Sequence, residues 1–329
     1  RSTLLTLRAT VSPEWASPQV GAMLAESVRL AGTDVPSPEL ADALIHSAIW
    51  HSMREEESAA ENEARALLEV GQALNDPHAM ADAHGVLTVR AHMRGDLERA
   101  LELNALSMKE AASCGADQSV LMAYVRGSAT LLEQGRYRDS LSMAADARAQ
   151  ATTKGLARLY DRWMAGNEAE ALEALGRWDE AEALLQGALD SGLPDERDAG
   201  TETVLARLLV RRGDPAAPPL VDALRATPES ALYEPQTRVP LICCVALFEL
   251  SRGEPRRCLD VLADQLPGDL SPEQLSHWVW DALPSAAAAM ACLGSHEDDA
   301  WFDSLLAAAG PATSARKRVA HALADAELA

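Results

Sequence analysis

The sequence predicts an all-α protein, built as an array of repeated helix pairs. Three observations lead to this prediction. Alanine and leucine dominate, whereas the chain has only two Phe and four Tyr, a composition that favours helices over strands. A short turn pattern recurs about every 40 residues, which is a period typical of helical repeat proteins. Small residues stand at matched distances from each turn, as two closely packed antiparallel helices require.

The repeated turn is a glycine followed by polar residues, often a bulky one, and a small residue. It reads Gly-Asp-Leu-Glu-Arg-Ala at 95–100, Gly-Arg-Tyr-Arg-Asp-Ser at 135–140 and Gly-Arg-Trp-Asp-Glu-Ala at 176–181. Other copies are placed at Arg54, Gly213, Gly253 and Gly294, so the steps from 54 to 294 are 41, 40, 41, 37, 40 and 41 residues. Seven evenly spaced turns predict seven repeats, each with a first helix before the turn and a second helix after it.

Small residues also recur around the turns. The residues that stand seven positions before the turns are Ser47, Thr88, Ser128, Ala169, Ala206, Ala246 and Ala287. The residues that stand five positions after the turns are Ala59, Ala100, Ser140, Ala181, Pro218 and Cys258. In the last repeat, Ala300 stands six positions after the turn. We expect these side chains to lie between the two helices of a pair, where a larger residue would cost about 1–3 kcal/mol through overpacking.

Serine–proline and aspartate–proline pairs predict where helices begin, since serine or aspartate caps a helix and proline fits its first turn. Such pairs occur at Ser17-Pro18, Ser37-Pro38, Asp76-Pro77 and Ser271-Pro272. We therefore divide the chain into an incomplete repeat (1–36), seven repeats (37–310) and a C-terminal capping helix (311–329). The chain begins with Arg1 rather than methionine, and its first edge lacks a cap, so we expect it to be part of a longer polypeptide.

Charge and composition narrow the classes of function. The formal charge is 29 − 50 = −21, which disfavours direct nucleic-acid binding. The longest uncharged stretch (282–296) is shorter than the ~18 residues of a membrane span. Five cysteines without a CxxC pair are typical of reduced, buried thiols, so we expect a cytoplasmic protein.

No familiar catalytic or cofactor motif is present. The sequence lacks GxxxxGK[ST], GxGxxG, GxSxG and HExxH, and its eight histidines do not have the spacing of metal ligands. The sequence therefore predicts a protein without catalytic residues, metal or cofactor. An enzyme built on a helical array is the least favoured alternative.

The offsets of the small residues resemble those of the tetratricopeptide repeat (TPR), best seen in 165–189. The resemblance implies a right-handed superhelical solenoid of about seven TPR-like repeats, whose first helices line a concave groove. Groove positions then fall on His92, Met122, Arg126, Trp163, Asn167, Glu170 and Arg207. Mixed aromatic and polar residues suit a small ligand or a peptide. The alternative is that Trp163 packs between repeats and that the arginines pair with Glu170 or Glu173.

A narrower resemblance rests on Leu-Asn-Asp-Pro at 74–77, the turn at 95–100, Gly-Leu-Ala-Arg at 155–158 and the run from 166 to 181. These segments are similar to the C-terminal repeat region of large ATP-dependent LuxR-type transcription regulators. The resemblance implies a sensor domain that binds a small-molecule inducer or a regulatory protein. Its other partners would be an ATPase module and a helix-turn-helix module of the same polypeptide, with no direct contact to nucleic acid or membrane. A stand-alone scaffold for protein–protein interaction is the alternative.

Overall fold

The computed structural model describes residues 2–10, 15, 17–191, 198–228, 232, 235–266, 277–294 and 297–328. Within these ranges all regular secondary structure is helical and no strand occurs. Seventeen α-helices and one 3-10 helix follow one another there. The predicted all-α class is thus confirmed.

The helices are numbered in chain order. They are α1 Ser2–Thr10, α2 Pro18–Ala31, α3 Pro38–Met53, α4 Glu57–Leu74, α5 Pro77–Met93, α6 Leu97–Cys114, α7 Asp117–Glu133, α8 Tyr137–Thr153, α9 Ala157–Ala174, α10 Trp178–Asp190, α11 Ala199–Arg212, α12 Ala217–Arg225, α13 Pro235–Ser251, α14 Pro255–Gln265, the 3-10 helix His277–Ala282, α15 Leu283–Leu293, α16 Asp299–Ala309 and α17 Ala315–Leu328.

The predicted turns separate the two helices of each pair. The six glycines predicted at these turns all have a positive φ, for example 76° at Gly176, a backbone conformation that glycine adopts without steric cost. The earliest turn differs from the prediction, because φ is −91° at Arg54 and 58° at Glu55. The turn residue there is Glu55, and Ala60 instead of Ala59 is fully buried behind it.

The small residues before the turns are buried as expected. All seven, from Ser47 to Ala287, are at most 1% exposed. After the turns, Ala100, Ser140, Ala181 and Cys258 are buried, but Pro218 and Ala300 are exposed. At Pro218 the reason is the register of α12, which begins at Ala217 and buries that alanine instead.

The helix starts follow local capping chemistry. The Ser17 and Ser37 side chains accept hydrogen bonds from the backbone N–H of Val20 and Leu40, at 3.5 and 3.2 Å. Asp76 caps α5 in the same way. The pair Ser271-Pro272 lies outside the described residues.

The chain divides into two compact units, each with its own apolar core. Unit 1 contains Arg1–Thr130 with Ala149–Gly155, and its core includes Leu40, Leu44 and Leu67. Unit 2 contains Leu131–Arg148, Leu156–Pro228 and Pro235–Ala329.

The core of unit 2 includes Ile242, Leu262, Trp280 and Phe302. Helix α17, predicted from sequence as the final helix, packs in this unit against α15 and the 3-10 helix. Across the described ranges, no helix combines the length and the apolar character needed to cross a bilayer.

Candidate functional site

Three of the seven predicted groove residues, His92, Met122 and Arg126, belong to unit 1. His92 is 8% exposed, and its Nδ1 lies 3.1 Å from Oγ1 of Thr130. The Thr130 hydroxyl donates to the backbone carbonyl of Arg126 at 2.8 Å. Since a hydroxyl has a single proton, His92 Nδ1 is the donor to Thr130. His92 on α5 is thereby linked to α7.

Arg126 lies across the neighbouring helix pair of unit 1. Its Nη2 donates to Ser107 Oγ at 3.3 Å, and its guanidinium covers the backbone of Gly85. A Cβ added at Gly85 would lie 2.7 Å from Arg126 Nη2. The glycine thus makes room for the guanidinium, while Met122 is half-buried on the same helix.

The other four predicted residues, Trp163, Asn167, Glu170 and Arg207, belong to unit 2. Trp163 is 49% exposed, and its ring makes an edge-to-face contact with Tyr160 at a centroid distance of 6.4 Å. Asn167 is half-buried. Glu170 and Arg207 are joined by a hydrogen bond of 2.9 Å from Arg207 Nη2 to Glu170 Oε1. The ion pair that the sequence left open as an alternative is therefore present, and ligand binding by these residues stays a prediction.

Glu170 and Arg207 are two members of a larger group of charges in unit 2. We call this group the ionic cluster; its members are Glu133, Glu170, Glu173, Arg207, Arg211, Asp281 and Arg316. Four carboxylates face three guanidinium groups, and they come from α7, α9, α11, the 3-10 helix and α17. The ionic cluster thus ties the last helix to α7, α9, α11 and the 3-10 helix.

Arg316 of α17 lies between two carboxylates. Its Nη1 is 3.0 Å from Glu170 Oε2 and 3.7 Å from Glu133 Oε1, and its guanidinium lies over the Trp280 ring at 5.3 Å from the centroid. Both carboxylate oxygens of Glu133 are buried, and neither has a hydrogen-bond donor among the described residues. Arg316 therefore compensates the charge of Glu133, and the charge of Lys317 also acts on this carboxylate.

Arg207 holds the opposite side of the ionic cluster. Its side chain is 8% exposed, and Nη2 also lies 3.3 Å from Glu173 Oε2 while Nη1 lies 4.0 Å from Asp281 Oδ2. Arg211 makes a further ion pair with Glu173. A guanidinium surrounded by three carboxylates is held in one orientation, which makes the cluster a rigid junction between α9, α11 and the 3-10 helix.

The electrostatics of the ionic cluster favour the charged states of Glu170 and Arg207. Burial by itself would raise the pKa of Glu170, but the charges of Arg316 and Arg207 outweigh it and lower this pKa to about 2. Burial would lower the pKa of Arg207, whereas Glu170 and Glu173 hold it well above its usual range. Both side chains are therefore ionised at neutral pH.

Two thiols of unit 2, Cys243 and Cys244, lie close to this cluster and are inert. Burial raises the pKa of Cys243, and it raises that of Cys244 to about 12. A thiol is nucleophilic only as thiolate. In the part of the chain that the structure describes, no three His, Cys, Asp or Glu residues are arranged to hold a metal ion.

Sequence reasoning missed four members of this site, which are Glu133, Arg211, Asp281 and Arg316. Arg316 and Glu170 are 146 residues apart, and Arg316 lies beyond the seven repeats, so the repeat pattern carries no signal for their contact. The serine at Ser314 caps α17, because its Oγ accepts from the backbone N–H of Lys317 at 3.1 Å. That local signal predicts the helix start, but not its packing partner.

No known family model matches this chain, and no curated protein matches it.

Proposed function

We propose that this chain is a non-catalytic, cytoplasmic binding segment that senses a ligand or protein partner and transmits binding through the docking of α17. The observation that carries the proposal is the pair Arg316–Glu170, with Arg207 on the other side of the same carboxylate. Two of these residues, Glu170 and Arg207, are positions that the TPR resemblance assigns to ligand binding. In this proposal, α17 and a bound partner compete for them.

The charges indicate what kind of partner would compete. A cationic group, such as an arginine or lysine side chain of a peptide or the amine of a small molecule, would replace Arg316 beside Glu133 and Glu170. The net charge of −21 favours the approach of such a partner. Binding shifts the docking equilibrium of α17 only if the partner prefers the undocked form.

In the wider proposal, the chain is the sensor of a large ATP-dependent LuxR-type regulator. Movement of α17 would then bias an ATPase module of the same polypeptide towards or away from its active form. The similarity of 74–100 and 155–181 to that group supports this proposal. The test is the coding sequence on both sides of this segment in the native gene. There we expect a P-loop module and a helix-turn-helix module. A gene that encodes neither would contradict it.

The binding proposal is tested with the whole chain. Thermal-shift measurements against sugars, phosphorylated sugars and amines should give a compound that raises the unfolding midpoint. Hydrogen exchange with that compound bound should then be faster at the backbone amides of α17. A compound that binds and leaves exchange in α17 unchanged would contradict the competition with Arg316.

A stand-alone scaffold for protein–protein interaction is the second candidate. The observation that favours it is Trp163, an aromatic side chain that is 49% exposed beside the buried Tyr160. Exposed tryptophans are frequent anchors of protein interfaces. The scaffold gains support if no small molecule shifts the midpoint while a purified protein partner binds and Trp163→Ala weakens that binding about tenfold or more.

A further inference from the structure

Unit 1 contains a cavity of about 380 Å³ between α4, α5 and α6. Its walls combine apolar side chains, such as Leu68, Leu87 and Leu103, with an unusual number of cations. Four arginines line it: Arg65 from α4, Arg90 from α5, Arg94 directly after the end of α5, and Arg99 from α6. The net charge of the chain is −21. A concentration of four guanidinium groups around one cavity is therefore unusual and needs a chemical explanation.

Arg90 is the unusual member of this set. It is 1% exposed, and its Nη2 donates to the Ser52 carbonyl and to Ser52 Oγ, both at 3.2 Å, and lies 3.3 Å from Met93 Sδ. Its Nε and Nη1 are buried and have no hydrogen-bond partner among the described residues. The ion pairs of the described chain likewise include none to Arg90. Burial lowers the pKa of Arg90, and the charges of Glu57, Glu55 and Glu61 offset this only in part. A buried guanidinium without an ion pair costs several kcal/mol.

The carboxylates in the cavity wall are engaged elsewhere. Glu61 binds Arg94 and lies 2.6 Å from Arg65 Nη2, and these hydrogen bonds lower its pKa to about 2. Asp96 caps α6 by accepting from the backbone N–H of Arg99 at 3.2 Å. The wall thus holds Glu61 and Asp96 in fixed places, and neither forms an ion pair with Arg90.

The other polar groups of the wall do not form an ion pair with Arg90 either. The Arg99 side chain pairs with Glu102 at 2.8 Å, and His84 Nδ1 lies 2.7 Å from Glu110 Oε2. Glu69 is the third carboxylate of the wall, one helical turn from Arg65 on the exposed part of α4. With four arginines against three carboxylates, the wall carries a net positive charge. Among the described residues, the buried Arg90 forms no ion pair.

We propose that this cavity is a binding site for a small anionic metabolite, whose phosphate or carboxylate group lies against Arg90. Guanidinium groups bind both oxyanions through paired N–H donors. The apolar wall formed by Leu68, Leu87 and Leu103 would contact the body of the ligand. A cavity of this volume holds a compound of metabolite size. The site uses residues of unit 1 alone and does not depend on the docking of α17.

Isothermal titration and thermal-shift measurements on the whole chain test this proposal. The probes are inorganic phosphate and succinate, each compared with sodium chloride at equal ionic strength. We expect one of the two to bind and to raise the unfolding midpoint beyond the chloride control. Phosphate binding alone indicates a phosphorylated ligand, and succinate binding alone a carboxylate. A response to neither probe would overturn the proposal.

Variants locate the site. Arg90→Met should abolish the response to the anion, and Arg90→Lys should weaken binding about tenfold or more, since an ammonium lacks the planar pair of donors. Arg29→Gln, which removes an exposed ion pair of unit 1 with Glu26, is the control and should bind as the unaltered chain does. Unchanged binding by Arg90→Met would overturn the proposal.

A second variant keeps the proposal testable if Arg90→Met does not fold. Arg94 lies at the wall with its side chain 48% exposed, so Arg94→Gln is expected to fold. It should weaken anion binding several-fold, because a cation of the wall is lost and Glu61 loses a partner. Equal affinity in Arg94→Gln and Arg29→Gln would contradict a site in this cavity. An Arg316 variant should bind the anion normally, which separates this proposal from that on α17.

Discussion

Arg316 and Glu170 form an ion pair of 3.0 Å although 146 residues of sequence lie between them. The contact joins α17 to α9 and places a third charge, Glu133, within 3.7 Å of the same guanidinium. The last helix is therefore attached to the middle of unit 2 through partly buried charges as well as through its apolar contacts with α15. Such an attachment is sensitive to charge changes in a way that an apolar contact is not.

Replacing Arg316 by methionine should release α17. Removal of one partner from a buried ion pair costs about 3–5 kcal/mol. Here the buried Glu133 would lose its nearest guanidinium, and Glu170 would keep only Arg207. Hydrogen exchange at the amides of 315–328 should become faster, while α3 to α6 are unaffected. Arg318→Gln, an exposed position two residues further on, is the matched control and should exchange as the unaltered chain does. Equal protection of α17 in both variants would refute the anchoring role of Arg316.

The ionic cluster also predicts a loss of stability in acid. The pKa of Glu170 is lowered from 4.5 to about 2 in the folded chain. Its contribution to the free energy of unfolding, about 3 kcal/mol, is fully present above pH 4.5 and is lost as the pH falls through 2.

Denaturant titrations between pH 6 and pH 2 measure this effect. Glu170→Gln should give a shallower pH dependence than the unaltered chain. Glu102→Gln, which alters an exposed pair with Arg99, should leave the slope as it is. If the Glu170→Gln and unaltered curves ran parallel, Glu170 would not be the group that titrates.

The five cysteines should differ sharply in reactivity. Cys114 and Cys292 are exposed, whereas Cys243, Cys244 and Cys258 are buried, and burial raises the pKa of Cys258 to about 12. With a water-soluble thiol reagent at pH 8, we expect two thiols per native chain to react quickly and all five after unfolding. The double variant Cys114→Ser, Cys292→Ser should show no fast phase. A third fast thiol in the native chain would contradict the buried environment.

Two glycine positions should respond oppositely to alanine. A Cβ at Gly21 would overlap the Trp50 ring, whereas a Cβ at Gly187 would meet nothing within 4 Å. Gly21→Ala should therefore lower the free energy of unfolding by about 1–3 kcal/mol through overpacking. Gly187→Ala, within the helix α10, should raise it by about 1 kcal/mol. Urea titration measures both, and equal effects of the two variants would argue against close packing of α2 on α3.

Local chemistry explains why so much of the fold could be read from sequence. The backbone at Gly176 needs a positive φ, and the positions of Ala169 and Ala181 need a small side chain. These requirements restrict the residue types, so the same types recur at fixed spacing in the sequence. The same demands set the turns of the other repeats. The one turn that lacked its glycine was misplaced by one residue, because Glu55 adopts the left-handed conformation that the sequence pattern assigned to Arg54.

The sequence by itself determined the helical class, the positions of the turns and the small residues between paired helices, since each depends on neighbours within a few turns of chain. Only the tertiary structure decided that Arg316 lies beside Glu170 and that Arg90 is buried without an ion pair to any described residue. A charged side chain has the same local preference for helix whether it faces solvent or an ion pair. The partner of a charge is set by the packing of distant helices, and no spacing along the chain records it.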